Sequence, residues 1–322
     1  MTDPGHDDSG TPASALTVTG GVTADDVASG TRPEAGEAFR SDASWRVILR
    51  AFVENKLALA GVILVVAVAL FCYVGPLFWH TDQVHTNLLL VNKPPSAQHP
   101  LGTDDLGYDV LGRLMVGGQS SLLVGFAVAV MATGFGVLYG VISGYFGGPA
   151  DAILMRIVDI VLAIPVVYLF IDLASEFRPT LPLLIVVLAL ISWLIPARLV
   201  RGETLSLRVR EYVQAVRVMG GRSGRIIARH LIPNTMGTIT VNATFQVADA
   251  ILTLAVLSYL GFSLPPPAAT WGGMLENGVN FLYDGYWWEI YPAGLMIVLT
   301  VVAFNFIGDG LRDSLDVRLQ RR

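Results

Sequence analysis

Polar side chains inside apolar runs are the residues of this sequence whose chemistry needs an explanation. Residues 239–262 form an apolar run that contains Asn242, Gln246 and Asp249, and a later run contains Asn305. The first three recur at one-turn intervals, which predicts a polar stripe on one helix. An ionisable residue within a membrane span is a functional hypothesis by default. The stripe either lines a path for a polar solute or holds a helix bundle together, and Asn305 fits both interpretations.

The sequence lacks the motifs of common covalent chemistry. Its two lysines, Lys56 and Lys93, do not follow glycine, which excludes a Walker A phosphate loop. The histidines show no metal-ligand spacing, and the single cysteine, Cys72, excludes an intrachain disulfide. A membrane-embedded enzyme would need paired groups at one depth, whereas Asp159 and Asp249 lie at different expected depths. We therefore expect a protein that is not an enzyme and binds no cofactor or metal directly.

The apolar runs that carry these residues predict an all-α integral membrane protein. The chain has 322 residues, of which 53% are hydrophobic and only 15% are charged, a composition typical of membrane proteins. Six transmembrane helices are predicted: residues 57–78, 121–142, 157–175, 181–198, 239–262 and 291–308. The third contains two aspartates and a proline. It is included because the arginine-rich loop and the basic N-terminal flank share one side only after an even number of spans.

The remaining segments follow from composition. Residues 1–43 have few large apolar side chains, which predicts a disordered cytoplasmic tail. Residues 44–56 read as an amphipathic helix at the membrane interface. Residues 79–120 and 263–290 are predicted outer segments, and residues 309–322 a cytoplasmic tail.

The distribution of positive charge supports this topology. The 21 lysines and arginines lie in segments predicted to be inside, with three exceptions: Lys93, Arg113 and Arg178. Basic residues are retained on the cytoplasmic side of a membrane, so both termini are predicted to be cytoplasmic. The net charge of −5 arises because acidic residues crowd the first 42 positions, and no surface for nucleic acid is indicated.

Two local patterns concern the outer segments. Thr103 is predicted to cap a helix whose first turn holds Asp104 and Asp105. The segment 263–290 has no basic residue and carries three tryptophans that we expect at the membrane interface: Trp271, Trp287 and Trp288.

Residues 199–235 form a polar loop with seven arginines between two apolar runs. Six apolar residues recur on one predicted helix face: Leu205, Val209, Tyr212, Val213, Val216 and Met219. Gly220 and Gly221 break this helix, and a second short helix, about residues 223–232, is predicted to end at Pro233. An apolar stripe outside the bilayer needs cover, which a partner protein would supply.

This loop resembles the EAA loop of ABC-importer permease subunits, the segment that docks on the ATPase. The resemblance rests on Gln214-Ala215-Val216, Gly220 and Ile232-Pro233, with Gln214 and Val216 in place of the usual glutamate and alanine. It implies an ATPase-coupling role for nine residues: Glu211, Tyr212, Gln214, Ala215, Arg217, Gly220, Arg229, His230 and Pro233.

Three other stretches resemble the C-type permease of dipeptide, oligopeptide and nickel importers. They are residues 99–114, 257–275 and 308–319. The chain departs from the family pattern at three positions within them: Tyr108, Gly112 and Val317. The resemblance covers about residues 45–320 and implies the six-helix type I ABC importer permease fold, with residues 199–235 as a cytoplasmic coupling helix–turn–helix.

The resemblance also implies an assembly in a bacterial inner membrane. This chain would pair with a B-type permease among membrane lipids and contact two cytoplasmic ATPase subunits, or one fused ATPase, which bind ATP and magnesium. An extracytoplasmic binding protein would deliver di- or oligopeptides. Nickel, haem or another small solute remains an alternative cargo. A secondary transporter is the alternative of a different class, but the spans show no evident inverted halves, and such a protein would have no use for an EAA-like loop.

Overall fold

The computed structural model describes residues 49–320, apart from residues 167, 170, 171 and 173–175. The predicted tail 1–43 and the start of the predicted interfacial helix lie outside the described residues, while residues 49–54 are helical. The described part of the chain contains helices, one isolated β-bridge and no strand. Five of its helical segments are long and apolar enough to cross a membrane. The prediction of an all-α membrane protein is therefore confirmed.

Ten helices carry the argument below. They are α1 (Lys56–Tyr73), α2 (Val110–Phe146), α3 (Gly148–Ala163), α4 (Leu181–Ser192), α5 (Leu194–Leu207), α6 (Glu211–Val218), α7 (Ser223–Ile226), α8 (Ile232–Tyr259), α9 (Trp271–Val279) and α10 (Tyr291–Gln320). A π-helical turn, Ile227–Leu231, joins α7 to α8, and short turns cover Gly75–Phe78, Leu88–Leu90, Leu282–Asp284 and Trp287–Glu289. The five membrane-crossing candidates are Lys56–Tyr73, Val110–Phe146, Leu181–Leu207, Ser223–Tyr259 and Trp287–Leu315.

The predicted third span, 157–175, falls on the end of α3 and on residues of which several are not described. Helix α3 ends at Ala163, and Ile164 is extended with ψ 121°. Pro165 explains this end, because a residue that precedes proline is pushed out of the helical region. This segment is therefore not among the five described helices that are long enough to span.

Helix α2 is the longest helix of the described structure and packs against several others. Its 37 residues give a length of about 55 Å at the usual helical rise, so the predicted span 121–142 is only its middle. The helix begins after Asp109, whose carboxylate accepts the Gly112 N–H at 2.8 Å, and it ends at Gly147. Apolar residues along α2 pack on α1, α4 and α8. Helix α2 therefore connects the outer segment at one end with the arginine-rich loop at the other.

Glycines let α2 approach α5 closely. A methyl group at Gly136 would lie 2.7 Å from the Trp193 carbonyl oxygen, and one at Gly140 would collide with the carbonyl oxygen of Ala197. Gly134 faces open space, with nothing within 4 Å. Small residues at such positions permit backbone contact between membrane helices, so residues 136 and 140 form a packing seam that Gly134 does not share.

The predicted helix cap at Thr103 is wrong. The Asp104 carboxylate accepts the backbone N–H of Leu106 at 3.0 Å and of Tyr108 at 2.8 Å, which folds these residues into a turn. Asp109 provides the cap instead. An aspartate can cap its own turn or a helix, and the turn forms here because Gly107 adopts a φ of +79°.

Two of the three outer tryptophans are buried rather than interfacial. Trp271 is fully buried, and its indole N–H donates to the Leu114 carbonyl at 2.9 Å. Trp288 is buried as well and donates to the Thr103 carbonyl at 3.1 Å. Trp287 is about half exposed. Buried indoles with a satisfied N–H are packing anchors, and these two tie the second outer segment to the first.

Candidate functional site

The arginine-rich loop begins with a break that the sequence pattern did not predict. Helix α5 ends at Leu207, and Arg210 is extended with ψ 145° before α6 starts at Glu211. The predicted single apolar stripe is therefore divided between two helices. Val213 is buried and Val216 half-buried in a cluster with α2, while Val209 remains exposed. The break turns α6 so that its apolar side rests on the Tyr145 end of α2.

Gly220 closes α6 as the sequence predicts. Its φ is +78°, its N–H donates to the Arg217 carbonyl at 3.0 Å, and the Gly221 N–H donates to the Val216 carbonyl at 2.9 Å. This pair of hydrogen bonds defines a Schellman motif, which uses glycine at the left-handed position. A side chain at Gly220 would meet no atom within 4 Å, so backbone conformation rather than space favours glycine here.

The prediction that the second loop helix ends at Pro233 is wrong. The chain widens into the π-helical turn Ile227–Leu231 and then continues as α8, with Pro233 in its first turn. Proline lacks an N–H, and its ring presses on the carbonyl four residues earlier. A π turn relieves that contact, and such turns are frequent at functional sites. The loop therefore passes without a break into the helix that carries the polar stripe.

Most of the nine predicted coupling residues face outward. His230 is half-buried, and the other eight are exposed: Glu211, Tyr212, Gln214, Ala215, Arg217, Gly220, Arg229 and Pro233. The rings of Tyr212 and His230 lie 6.4 Å apart, and the Arg217 guanidinium lies 5.3 Å from the centre of the Tyr145 ring. Val218 and Met219, 87% and 77% exposed, extend the same surface. Exposed apolar side chains at such a bend indicate an interface.

The loop is tied to the rest of the chain by contacts that sequence reasoning missed. Arg201 forms a bidentate pair with Asp151, which also accepts the Ser143 hydroxyl. The Arg201 hydrogen bond holds the pKa of Asp151 below its ordinary value. Arg208 donates to the Gly144 carbonyl at 3.0 Å. The Gly147-Gly148-Pro149 sequence is a turn signal that brings Asp151 back onto α2, but the pairing with Arg201 spans fifty positions and leaves no local pattern.

The predicted path residues differ in their exposure. Asn242 is half-buried, and its buried Oδ1 accepts no hydrogen bond from the described residues. Gln246 is buried, whereas Asp249 is exposed. Asn305 is half-buried and donates to the carbonyl of Val301 in its own helix at 2.9 Å. The exposed aspartate therefore faces away from this chain's interior, which argues against a role in holding this helix bundle together.

The two predicted sites are joined by one helix. Helix α8 starts next to the π turn, carries Pro233 in its first turn, and presents Asn242, Gln246 and Asp249 along its length. At a rise of about 1.5 Å per residue, Pro233 and Asp249 lie about 24 Å apart along α8. A rigid helix can carry movement of the loop to the polar stripe.

Comparison with known proteins identifies the family. Residues 136–321 match the family described as binding-protein-dependent transport system inner membrane component. The chain belongs to this family. Residues 44–95 also match the N-terminal transmembrane domain of oligopeptide transport permease C. The resemblance read from the loop and the outer segment is thereby confirmed, and the chain is a multi-pass inner membrane permease component rather than an enzyme.

Three relatives illustrate the similarity. The oligopeptide transport system permease protein OppC of Bacillus subtilis (strain 168) is 42% identical over 277 residues, covering 86% of this chain and 90% of the relative. The dipeptide transport system permease protein DppC of the same strain is 39% identical over 272 residues, covering 84% and 85%. OppC of Haemophilus influenzae is 38% identical over 274 residues, covering 84% and 88%.

Proposed function

We propose that this permease component forms half of the membrane pathway of an ATP-driven importer for di- and oligopeptides. The relatives carry oligopeptide and dipeptide transport in their names, which favours peptide over nickel, haem or another small solute. The second half of the pathway is a B-type permease. An extracytoplasmic binding protein delivers the peptide, and cytoplasmic ATPase subunits, separate or fused, bind ATP and magnesium.

The observation that carries this proposal is the exposed loop that continues into α8. The Schellman turn at Gly220 presents Val218 and Met219 outward, and the π turn passes directly into the polar helix. In this proposal the ATPase binds the nine coupling residues and moves them when its nucleotide sites close. Helix α8 carries that movement to Asp249, and the pathway changes its open side. The chain itself performs no covalent step.

The proposal includes the six-span topology with both termini in the cytoplasm. Five described helices are long enough to span, and residues 157–175 supply the sixth. Asp249 supports a pathway at the α8 surface, because an exposed carboxylate would be costly against lipid and needs a polar environment or a partner subunit. Asn242 and Gln246 extend the same polar stripe, and Asn305 on α10 is the fourth proposed path residue.

Reconstitution tests the proposal. The chain is co-expressed with its partner permease and ATPase subunits, purified, and inserted into vesicles with the binding protein on the opposite side from the ATPases. We expect uptake of a labelled dipeptide, Ala-Phe, that requires ATP hydrolysis and the binding protein. Accumulation driven by an ion gradient without ATP would instead indicate a secondary transporter. ATP-dependent uptake of nickel or haem in preference to dipeptides would contradict the cargo.

A further inference from the structure

A cavity of about 280 Å³ lies at the end of α2 away from the coupling loop. Arg113 in its wall and Tyr145 beside the loop are 32 positions apart on α2, which is about 48 Å along a helix. The walls come from the turn at Asp104 and Asp105, the start of α2, the proline-rich segment 264–269, and α9. Glu289, just before α10, completes them. The six-span topology puts this cavity on the outer side.

Four carboxyl groups line the cavity. Asp104, Asp105, Glu276 and Glu289 all line it. Burial raises the pKa of Asp105, and burial together with the nearby Asp105 raises that of Glu276. Burial away from water is the main cause of both shifts, because it disfavours the charged form of a carboxyl group.

The guanidinium of Arg113 does not neutralise this cluster. It donates to the carbonyl oxygens of Pro267 at 2.6 Å and Ala268 at 3.4 Å, and it lies 4.3 Å from the centre of the Tyr108 ring. Its closest carboxylate, that of Asp104, is 3.8 Å away. Arg113 thus holds the proline-rich segment, and its single positive charge is shared between Asp104 and Asp105, which leaves a net negative charge among the four carboxyl groups.

Glu289 has a buried carboxyl oxygen without a hydrogen-bond partner among the described residues. Its side chain is buried, with the residue 4% exposed. Its Oε1 atom is shielded from solvent and accepts no hydrogen bond from any described residue, and Oδ1 of Asp105 is in the same position. A buried carboxylate without a partner is unstable relative to one that is paired. Both residues line one cavity, so a cationic group bound there would lie beside both carboxyl groups.

The geometry favours an organic cation over a metal ion. Among the described residues, no group of three or more histidine, cysteine, aspartate or glutamate side chains could hold a metal ion. An ammonium group needs only hydrogen-bond acceptors at separate positions, since it offers three N–H donors. The cavity also has apolar walls at Leu106, Val110, Leu264 and Met274. Its volume is just below the range of about 300–1,000 Å³ typical of pockets that enclose a whole small molecule, so it suits one end of a longer ligand.

We propose that this cavity binds the amino-terminal end of a cargo peptide, with its ammonium between Glu289 and Asp105 and its first side chain against the apolar walls. The inference rests on the proposed peptide cargo and adds a first binding position for it. Recognition of the amino terminus suits cargo of varied sequence and length, because every unmodified peptide carries this group. The remainder of the peptide extends out of the cavity.

The test uses the full chain in complex with its partner permease and ATPases, purified without the binding protein. A hydrophobic carbodiimide modifies buried carboxyl groups, and mass spectrometry follows the rate at Glu289. The probes are the dipeptide Ala-Phe and its N-acetylated form. We expect Ala-Phe to slow modification of Glu289 by about tenfold near saturation, as occupancy arithmetic predicts when free sites fall to one in ten. N-acetyl-Ala-Phe should give no protection, since it has no ammonium.

Substitution provides a second measurement. Glu289→Gln keeps the shape and removes the charge, so the complex should bind Ala-Phe at least about tenfold more weakly by calorimetry, because loss of one partner from a buried charge pair weakens binding strongly. The matched control is Asp82→Asn, an exposed carboxylate of the same outer segment that does not line the cavity. It should bind Ala-Phe like the wild type. If the Glu289→Gln complex does not assemble, the protection of wild-type Glu289 from the carbodiimide by Ala-Phe tests the proposal alone.

Uptake of Ala-Phe by the complete reconstituted importer is measured in parallel, so that this inference and the proposed function fail separately. ATP-dependent uptake without protection of Glu289 overturns the cavity assignment and leaves the peptide importer intact. Equal protection by both probes also overturns it, because the ammonium would then play no part. Protection by peptide-free binding protein, but not by Ala-Phe, would assign the cavity to a basic side chain of that partner instead.

Discussion

Gly220 and Pro233 define the coupling loop through the backbone properties of single residues. Gly220 adopts a φ of +78° in the Schellman turn, a conformation that costs other residues strain. Pro233 stands after a π turn that relieves the contact between its ring and the carbonyl four residues earlier. Both residues were identified from sequence. The conformation of Gly220 followed from its type, whereas the π turn did not, because proline equally permits a helix to end.

We expect Gly220→Val to uncouple the importer. Valine at this φ is strained by about 1–3 kcal/mol, so the turn would reopen and displace Val218 and Met219. The membrane spans are unchanged and should still insert. Co-purification of the ATPase, ATP hydrolysis and peptide uptake are measured together, and uptake should be lost while hydrolysis continues or the ATPase detaches. The control is Gly224→Val, an open position whose φ is not positive, and it should be milder. Wild-type uptake by the Gly220 variant would remove the loop from the coupling mechanism.

Asp249 acts at the pathway if its charge, rather than its packing, matters. Asp249→Asn keeps the shape of an exposed side chain, so assembly and basal ATPase activity should remain while peptide uptake falls. A tenfold fall corresponds to about 1.4 kcal/mol of transition-state free energy. Thr253→Val, a half-buried position one turn further along, is the control and should retain uptake. If Asp249 instead holds the helix bundle together, Asp249→Leu should lower the yield of assembled complex. Normal uptake by both the Asn and the Leu variant would exclude Asp249 from the path.

Asp104 should make stability depend on pH. Burial raises the pKa of Asp104 from 3.8 to about 6, although the N–H groups of Tyr108 and Leu106 and the charge of Arg113 lower it. Since the folded pKa exceeds the unfolded one, the stabilising contribution is complete below pH 3.8 and is lost as pH rises through about 6. The difference amounts to about 3 kcal/mol at most, at 1.36 kcal/mol per pKa unit.

The purified complex should therefore melt at a lower temperature at pH 8 than at pH 5, and Asp104→Asn should reduce that difference. Asparagine retains the oxygen that accepts the two turn hydrogen bonds. Asp82→Asn is the control, because hydrogen bonds from His85 and Val84 lower the pKa of Asp82 to about 2, which lies below this pH range. An unchanged pH dependence in Asp104→Asn would show that Asp104 is not the titrating group.

At the scale of elements, apolar runs and glycines in the sequence predicted the helices but not their lengths. The runs 57–78 and 239–262 fall on α1 and α8, yet α2 extends eleven residues before its predicted start. Hydropathy locates the part of a helix that lipid could surround. It does not detect turns such as 110–120, which are helical because Trp271 and the outer segment cover them. Contacts between distant segments decide these boundaries, and no local pattern encodes them.

The seam between α2 and α5 gives a test at this scale. Gly136→Val places its Cβ within 2.7 Å of the Trp193 carbonyl oxygen and 2.8 Å of Pro196. Backbone atoms cannot move aside as the end of a flexible side chain can. The loss of folding stability should therefore be at least about 1–3 kcal/mol, the usual cost of overpacking. We expect a lower yield and a lower melting temperature of the complex. Gly134→Val, two positions away in open space, should behave like the wild type. Equal stability of the two variants would contradict the close approach of α2 to α5.

For the whole molecule, the sequence reveals chemistry that repeats along the chain, and the site roles and topology inferred from it stay predictions. The arginine-rich loop and the polar stripe were found because each occupies one continuous segment. The cavity around Glu289 was missed, because its carboxyl groups come from positions as far apart as Asp104 and Glu289. The ties of Asp151 to Arg201 were missed for the same reason. Sites assembled from remote segments require the fold before they can be recognised.

The topology proposed for the whole molecule can be tested by labelling single cysteines in sealed cells. Cys72→Ala provides the background, since Cys72 is the chain's only cysteine. The labelled positions must be exposed, because a buried side chain would resist a reagent on either side of the membrane. Tyr283 is 97% exposed and Leu89 85% exposed in the predicted outer segments, and Val218 is 87% exposed in the predicted inner loop.

An impermeant thiol reagent added outside should therefore label Tyr283→Cys and Leu89→Cys but not Val218→Cys. Opening the cells should make Val218→Cys reactive, which controls for local access. The physical reason is the concentration of lysine and arginine in the segments that hold Val218, because basic loops are retained on the cytoplasmic side. Labelling of Val218→Cys in sealed cells would invert the topology. Labelling of Tyr283→Cys without Leu89→Cys would put the two outer segments on opposite sides and require a different number of spans.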